Sequence, residues 1–165
     1  AAPRALAAAL WPVMQLGTIW APFAVGAALL VVRRDIAAAL ATVTAGLATW
    51  YGATLLKLLW ERPRPVCCVN DLDLRGATSG GFGFPSGHSA VAACCAVVVM
   101  AYVPRRWQWL PGVLAVAVGV SRVVYGAHFP LDLVGGWALG AGIAAGTLAM
   151  MRRSGTPQFE RSLGR

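Results

Sequence analysis

A chain of 165 residues that is 58% hydrophobic and only 12% charged has more apolar surface than a soluble domain of 17.2 kDa can bury, which excludes an ordinary water-soluble enzyme. A mean hydropathy of +0.66 points the same way, to a chain built for lipid. The net charge of +8 is not a nucleic-acid signal, because the basic residues stand in pairs at the ends of apolar stretches and never form a run.

From the N-terminus, long apolar stretches cover residues 11–32, 36–60, 86–103, 110–125 and 131–151, each near the ~20 residues that cross a bilayer as helix. The expected fold is therefore all-α, a polytopic transmembrane bundle of about five spans with a rather short fourth. The first stretch lacks the basic leader and small-residue cleavage site of a signal peptide, and the start at Ala1 instead of a methionine leaves room for an upstream piece. Residues 1–151 read as one transmembrane domain and 152–165 as a polar, mobile, cytoplasmic tail.

If the spans alternate in direction, the pairs Arg33 with Arg34, Arg105 with Arg106, and Arg152 with Arg153 share one face. Excess positive charge places that face in the cytoplasm. The N-terminus, the long connection 61–84 and the opposite span ends then face outward, although Arg62, Arg64, Arg75 and Arg122 stand on that side and weaken the count. The connection carries Glu61, Asp71 and Asp73 and then a glycine-rich stretch, 76–83, and loops of this length usually carry function.

Cys67 with Cys68 and Cys94 with Cys95 are adjacent pairs without zinc spacing, so free thiols or packing are expected. Gly136, Gly140, Gly142 and Gly146 form overlapping small-xxx-small patterns, which let helices approach closely.

The polar residues that remain carry the chemistry. Lys57 closes the second span and Arg64 follows after Pro63 has stopped the helix, so two cations meet at one rim. Each taken alone is an ordinary lipid-headgroup anchor, and Arg62 is expected to be one. Ser86 is suited to cap the third helix and Gly87 lets backbone approach a ligand, so the helix start, with its free N–H groups, is an anion site. His88 follows at the membrane rim. Arg122 lies at membrane depth with no acidic partner in its own helix, and a buried cation needs an anion. His128 and Asp132 are four residues apart, which places them side by side, with Pro130 positioned for the first turn of the last helix. Alternating spans bring all these groups to one rim, a convergence that independent anchors do not require.

In order, the chain reads Lys57-x6-Arg64-Pro65, then Pro85-Ser86-Gly87-His88, then Ser121-Arg122-x5-His128-x3-Asp132. This closely resembles the three signature motifs of the type 2 phosphatidic acid phosphatase superfamily, to which the vanadium haloperoxidases also belong. The resemblance covers residues 57–132. It implies that His128 is the nucleophile on phosphorus and that Asp132 holds its imidazole in the attacking tautomer. His88 would protonate the leaving alkoxide and then take a proton from the water that releases phosphate from phospho-His128. Lys57, Arg64 and Arg122, with Ser86 and the Gly87 N–H, would neutralise the phosphoryl oxygens. No cofactor is implied, and Asp35, Glu61, Asp71, Asp73 and Glu160 show no paired ligand pattern, so magnesium independence is expected.

Members of that superfamily usually have six membrane helices, three before the first motif, whereas only two apolar stretches precede Lys57 here. The expected substrate is a lipid phosphate, such as a polyprenyl phosphate or diphosphate, phosphatidic acid or phosphatidylglycerol phosphate, with its tail left in the bilayer. Trp60, Phe82 and the 61–84 loop are the expected selectors of the head group. The competing readings are a phosphotransferase that passes the phosphoryl group to an alcohol, a haloperoxidase, and a non-catalytic lipid transporter or structural subunit. Abundant alanine, glycine and arginine beside a single lysine suggest a bacterial genome, with the protein in the inner or plasma membrane and its site facing outward. No nucleic-acid partner is expected.

Overall fold

The computed structural model describes residues 4–69 and 80–153. Among them are six α-helices: α1 (Arg4–Gln15), α2 (Ala21–Arg33), α3 (Ile36–Trp60), α4 (Gly87–Tyr102), α5 (Trp109–Val124) and α6 (Pro130–Arg153). Short 3-10 turns lie at Pro65–Cys67 and Arg105–Trp107. By length and composition, three segments are apolar and long enough to cross a membrane: Ile36–Cys67, Arg105–Val124 and Pro130–Arg153. α2 and α4 are shorter apolar helices. The protein is a multi-pass membrane helix bundle, with Leu40, Leu55, Leu59, Val113, Leu131 and Val134 among the large apolar side chains exposed on its outside.

The first apolar stretch, read as one span over residues 11–32, needs correction. It is not one helix. The chain turns at residues 16–20, where the Leu16, Gly17 and Thr18 N–H groups bond three residues back and the Thr18 hydroxyl donates to the Gln15 carbonyl. Pro22 then opens α2. Three helices therefore precede the first motif, and it is the α1–α2 corner that meets the motif end of the bundle. A side chain at Gly17 would collide with the His88 carbonyl and with Val118, so only glycine lets this corner seat against α4 and α5.

α4 is the central helix. Every residue from Ser89 to Ala96 is buried, as expected for a helix that is apolar all round. α6 lies directly on it: a Cβ at Gly136 would stand 2.5 Å from the Ser86 carbonyl oxygen, and one at Gly140 would stand 1.9 Å from that of Ala90. These two glycines make the backbone contact that their spacing predicts. Gly142 and Gly146 have nothing within 4 Å, so the second half of the pattern faces away from the bundle. Trp137 fastens α6 to α5, its ring over Gly119 and its Nε1–H donating to the Ala115 carbonyl at 3.2 Å.

At the end away from the motifs, α2 and α3 join through Arg34, in the left-handed region at φ 53°, and Asp35, whose Oδ1 caps α3 by accepting from the Ala38 N–H at 2.9 Å. Arg33 donates to the Tyr102 carbonyl, which puts the far ends of α2 and α4 together. Buried Thr42 and Thr49 return their hydroxyls to carbonyls four residues back. Arg152 and Arg153 are the last turn of α6, and the rest of the expected tail lies outside the described residues, as do Asp71, Asp73 and Arg75. Cys67 and Cys68 are exposed thiols; Cys94 and Cys95 are buried in α4.

Candidate functional site

The motif residues lie at the C-terminal ends of α3 and α5, the N-terminal ends of α4 and α6, and the segments joining them. Main-chain bonds knit these pieces into one rim. The Ser86 N–H donates to the Asp132 carbonyl at 2.9 Å, joining the starts of α4 and α6. The Gly83 N–H donates to the Arg62 carbonyl at 2.7 Å, closing both ends of the long loop on each other. Arg64 Nη1 reaches the Ala127 carbonyl at 3.1 Å, which ties the first motif to the His128 loop.

α4 starts as the sequence predicts. Ser86 is its N-cap, fully buried, its Oγ accepting from the Ser89 hydroxyl at 3.0 Å and from the Ser89 N–H at 3.4 Å. That geometry leaves the Ser86 hydroxyl proton as its one donor to an anion. Gly87 and His88 supply first-turn N–H groups, which have no carbonyl to bond within the helix. The His88 ring is half-buried and meets the edge of Trp50 at 6.2 Å.

His128 sits in the short connection between α5 and α6, where Gly126, at φ 69°, turns the chain. It is 3% exposed. Asp132, in the first turn of α6, is wholly buried and used on both oxygens: Oδ2 accepts the Phe129 N–H at 2.9 Å and lies 3.4 Å from His128 Nδ1, while Oδ1 pairs with Arg62 Nη1 at 3.1 Å. The 3.4 Å separation is long for a hydrogen bond, and Nδ1 has no closer partner. Hydrogen bonds between catalytic groups are often long before substrate arrives. Burial is the main cause that lowers the pKa of His128 below its usual 6.5; Asp132 opposes it, and the cations of Arg64, Lys57 and Arg122 add to it. The ring is thus neutral at pH 7, and the carboxylate favours Nδ1–H, leaving the Nε2 lone pair for attack.

Around the two imidazoles stand the cations. Arg122, His128, Lys57 and Arg64 all lie close enough to His88 to act on its charge. Arg64 is 8% exposed and Arg122 is 7% exposed, and the Nε of each has no hydrogen-bond partner. Among the described residues, Arg122 Nη1 meets the weak acceptor Met14 Sδ, at 2.7 Å. Among the described residues, no carboxylate forms an ion pair with Lys57, Arg64 or Arg122. Buried guanidinium groups so placed are held ready for an anion. Among the same residues, no group of three or more His, Cys, Asp and Glu side chains lies together.

The structure thus brings Lys57, Arg64, Ser86, Gly87, His88, Arg122, His128 and Asp132 to one rim. It corrects one expectation: Arg62, read as a headgroup anchor, pairs with Asp132 and lies 5.3 Å over the Phe129 ring. Met14 on Arg122 and Trp50 beside His88 were also not foreseen, since neither apolar residue carries a signal in spacing or charge. Of the expected head-group selectors, Trp60 is exposed and its ring meets Phe84 at 5.8 Å, while Phe82 is half-buried.

An all-helical membrane bundle with two imidazoles, a buried carboxylate and three cations gathered at one rim defines the class. The chain belongs to the PAP2 superfamily, whose sequence model matches residues 35–156. It is 32% identical over 127 residues to the undecaprenyl-diphosphatase of Sulfolobus acidocaldarius, a match covering 76% of this chain and 60% of that one. The crystal structure of a transmembrane PAP2-type phosphatidylglycerolphosphate phosphatase from Bacillus subtilis superposes with a TM-score of 0.77 at 26% identity, covering 92% of this chain and 79% of that one. Aquifex aeolicus LpxE shares the fold, with a TM-score of 0.79 at 23% identity over 90% of this chain and 88% of that one.

Proposed function

We propose that the protein is a membrane lipid phosphate phosphatase that works through a phosphohistidine. The observation that carries this reading is the imbalance at the rim: three cations without a carboxylate partner among the described residues face two imidazoles, while the one buried carboxylate there is already engaged by Arg62, the Phe129 N–H and His128. A phosphoryl group supplies the missing negative charge and the electrophile together.

In the first half-reaction, His128 Nε2 attacks phosphorus as the P–O bond to the lipid breaks, and Asp132 stabilises the charge arising on the ring. His88 delivers a proton to the departing oxygen. Lys57, Arg64, Arg122, the Ser86 hydroxyl and the Gly87 N–H hold the three remaining oxygens. In the second, His88 takes a proton from water, whose oxygen attacks phospho-His128 and frees inorganic phosphate.

The lipid phosphate class rests on the membrane fold and on relatives named for undecaprenyl diphosphate and phosphatidylglycerolphosphate. The arginine pairs at the opposite end support an outward-facing site, and the alanine-, glycine- and arginine-rich composition supports a bacterial plasma membrane. The test is phosphate release by purified protein from polyprenyl phosphates and diphosphates, phosphatidic acid and phosphatidylglycerol phosphate, with and without a chelator. Release from at least one, unaffected by chelation, is expected. Phosphorylated alcohol in place of free phosphate would make the protein a transferase instead.

A further inference from the structure

The three motifs leave Arg62 without a role, yet it is the cation that touches Asp132. We infer that Arg62 is a positioning residue for the reaction: by holding Oδ1 of Asp132, it keeps that carboxylate aimed at His128. The inference rests on the phosphatase reading above and extends it to a residue outside the motif positions.

Four contacts define the seat of the carboxylate. Arg62 Nη1 holds Oδ1 at 3.1 Å, the Phe129 N–H holds Oδ2 at 2.9 Å, and His128 Nδ1 stands 3.4 Å from Oδ2. On the fourth side a Cβ at Gly83 would lie 3.1 Å from Oδ2, so the absence of a side chain there gives Asp132 its room. The loop that brings Gly83 also bonds the Arg62 carbonyl, so the same backbone pair places the cation and clears the space. Stacking over Phe129, at 5.3 Å, restrains the guanidinium from the other face.

Charge balance explains why the cation is needed. His128 must be neutral to attack, so it cannot be the counter-ion of a fully buried carboxylate. One N–H bond from Phe129 under-compensates that charge. If Asp132 turned instead to Lys57, Arg64 or Arg122, it would spend a cation that the phosphoryl group requires. Arg62 is one third exposed, which makes its pair with Asp132 a weak contributor to stability. Its effect falls on the geometry and protonation of the Asp132 and His128 pair.

The experiment compares wild type, Arg62→Ala, Arg62→Lys, Asp132→Asn and the double variant Arg62→Ala with Asp132→Asn, all as full chains in lipid nanodiscs. With lipid phosphate as substrate, Arg62→Ala should lose about 10–100-fold in kcat with KM changed by less than about threefold, and Arg62→Lys should recover most of it. In the Asp132→Asn background, Arg62→Ala should add less than about twofold, because the two act through one carboxylate. A rise in KM with kcat retained would make Arg62 a head-group ligand, and additive losses would place it on another path; either overturns the inference.

A second readout does not require turnover. The chain has two histidines, so imidazole 15N labelling gives two ring systems to follow with pH. Lys57 from α3, Arg64 beyond its end, His88 from α4 and Arg122 from α5 all face His128 and remain in place. Loss of the Arg62 charge should therefore let His128 take up its proton at higher pH. An unchanged His128 titration overturns the inference. Absence of phosphate release by wild type from every lipid would instead overturn the phosphatase reading, with the titration still deciding the role of Arg62.

Discussion

The two ends of the bundle treat their buried polar groups in opposite ways. Away from the rim, buried Asp35 caps α3, and buried Thr42 and Thr49 bond within their own helix. At the motif rim, Arg64 and Arg122 are equally buried yet keep an Nε with no partner, and Arg122 leans on a thioether. Both ends face the same desolvation cost, so the difference is one of purpose. The polar groups named at the far end find their partners within the fold, whereas at the rim two buried guanidinium Nε atoms do not.

The comparison can be tested by substitution at each end. The largest effect is expected at His128→Ala, which should abolish phosphate release, while Asp132→Asn should keep the fold and lose about 10³–10⁴-fold in kcat. Next, Arg64→Ala and Arg122→Ala should each cost about 10²–10³-fold in kcat/KM. Because Arg122→Ala removes a buried charge with no carboxylate partner among the described residues, it should not lower Tm, whereas Arg64→Ala also loses the bond to the Ala127 carbonyl; a large fall in Tm for Arg122→Ala would mean that the rim is held together by this residue and not poised for a ligand. At the far end the pattern should reverse. Asp35→Ala should destabilise by about 1 kcal/mol, read as a lowered Tm, with turnover of the folded fraction unchanged. The smallest effect is expected from Gly146→Ala, which meets open space and should leave Tm and turnover at wild-type values, whereas Gly140→Ala should not fold normally.

Much of this was legible in the sequence. The spans 36–60, 86–103, 110–125 and 131–151 appear as α3, α4, α5 and α6 with ends shifted by no more than about two residues, because unbroken apolar runs of membrane length leave few alternatives. Residues 11–32 misled for the same reason: a run long enough for one crossing outweighed Gly17 and Pro22, the breakers that flank the turn. The motif residues were legible because a fixed order of polar groups on alternating helices must meet at one end. Arg62 was not, since its partner lies 70 positions away and a rim arginine reads equally well as a lipid anchor. The glycine stripe was half legible: spacing marks all four positions, but only Gly136 and Gly140 lie on the side that α4 occupies.

That bare contact between α4 and α6 has a mechanical consequence. His88 begins one of these helices and His128 immediately precedes the other, while Gly136 and Gly140 lock the two backbones together just below. The gap between the His88 and His128 imidazoles is thereby set by main chain, as in a vice whose jaws are cast with its frame. Outer side chains can drift without altering that gap.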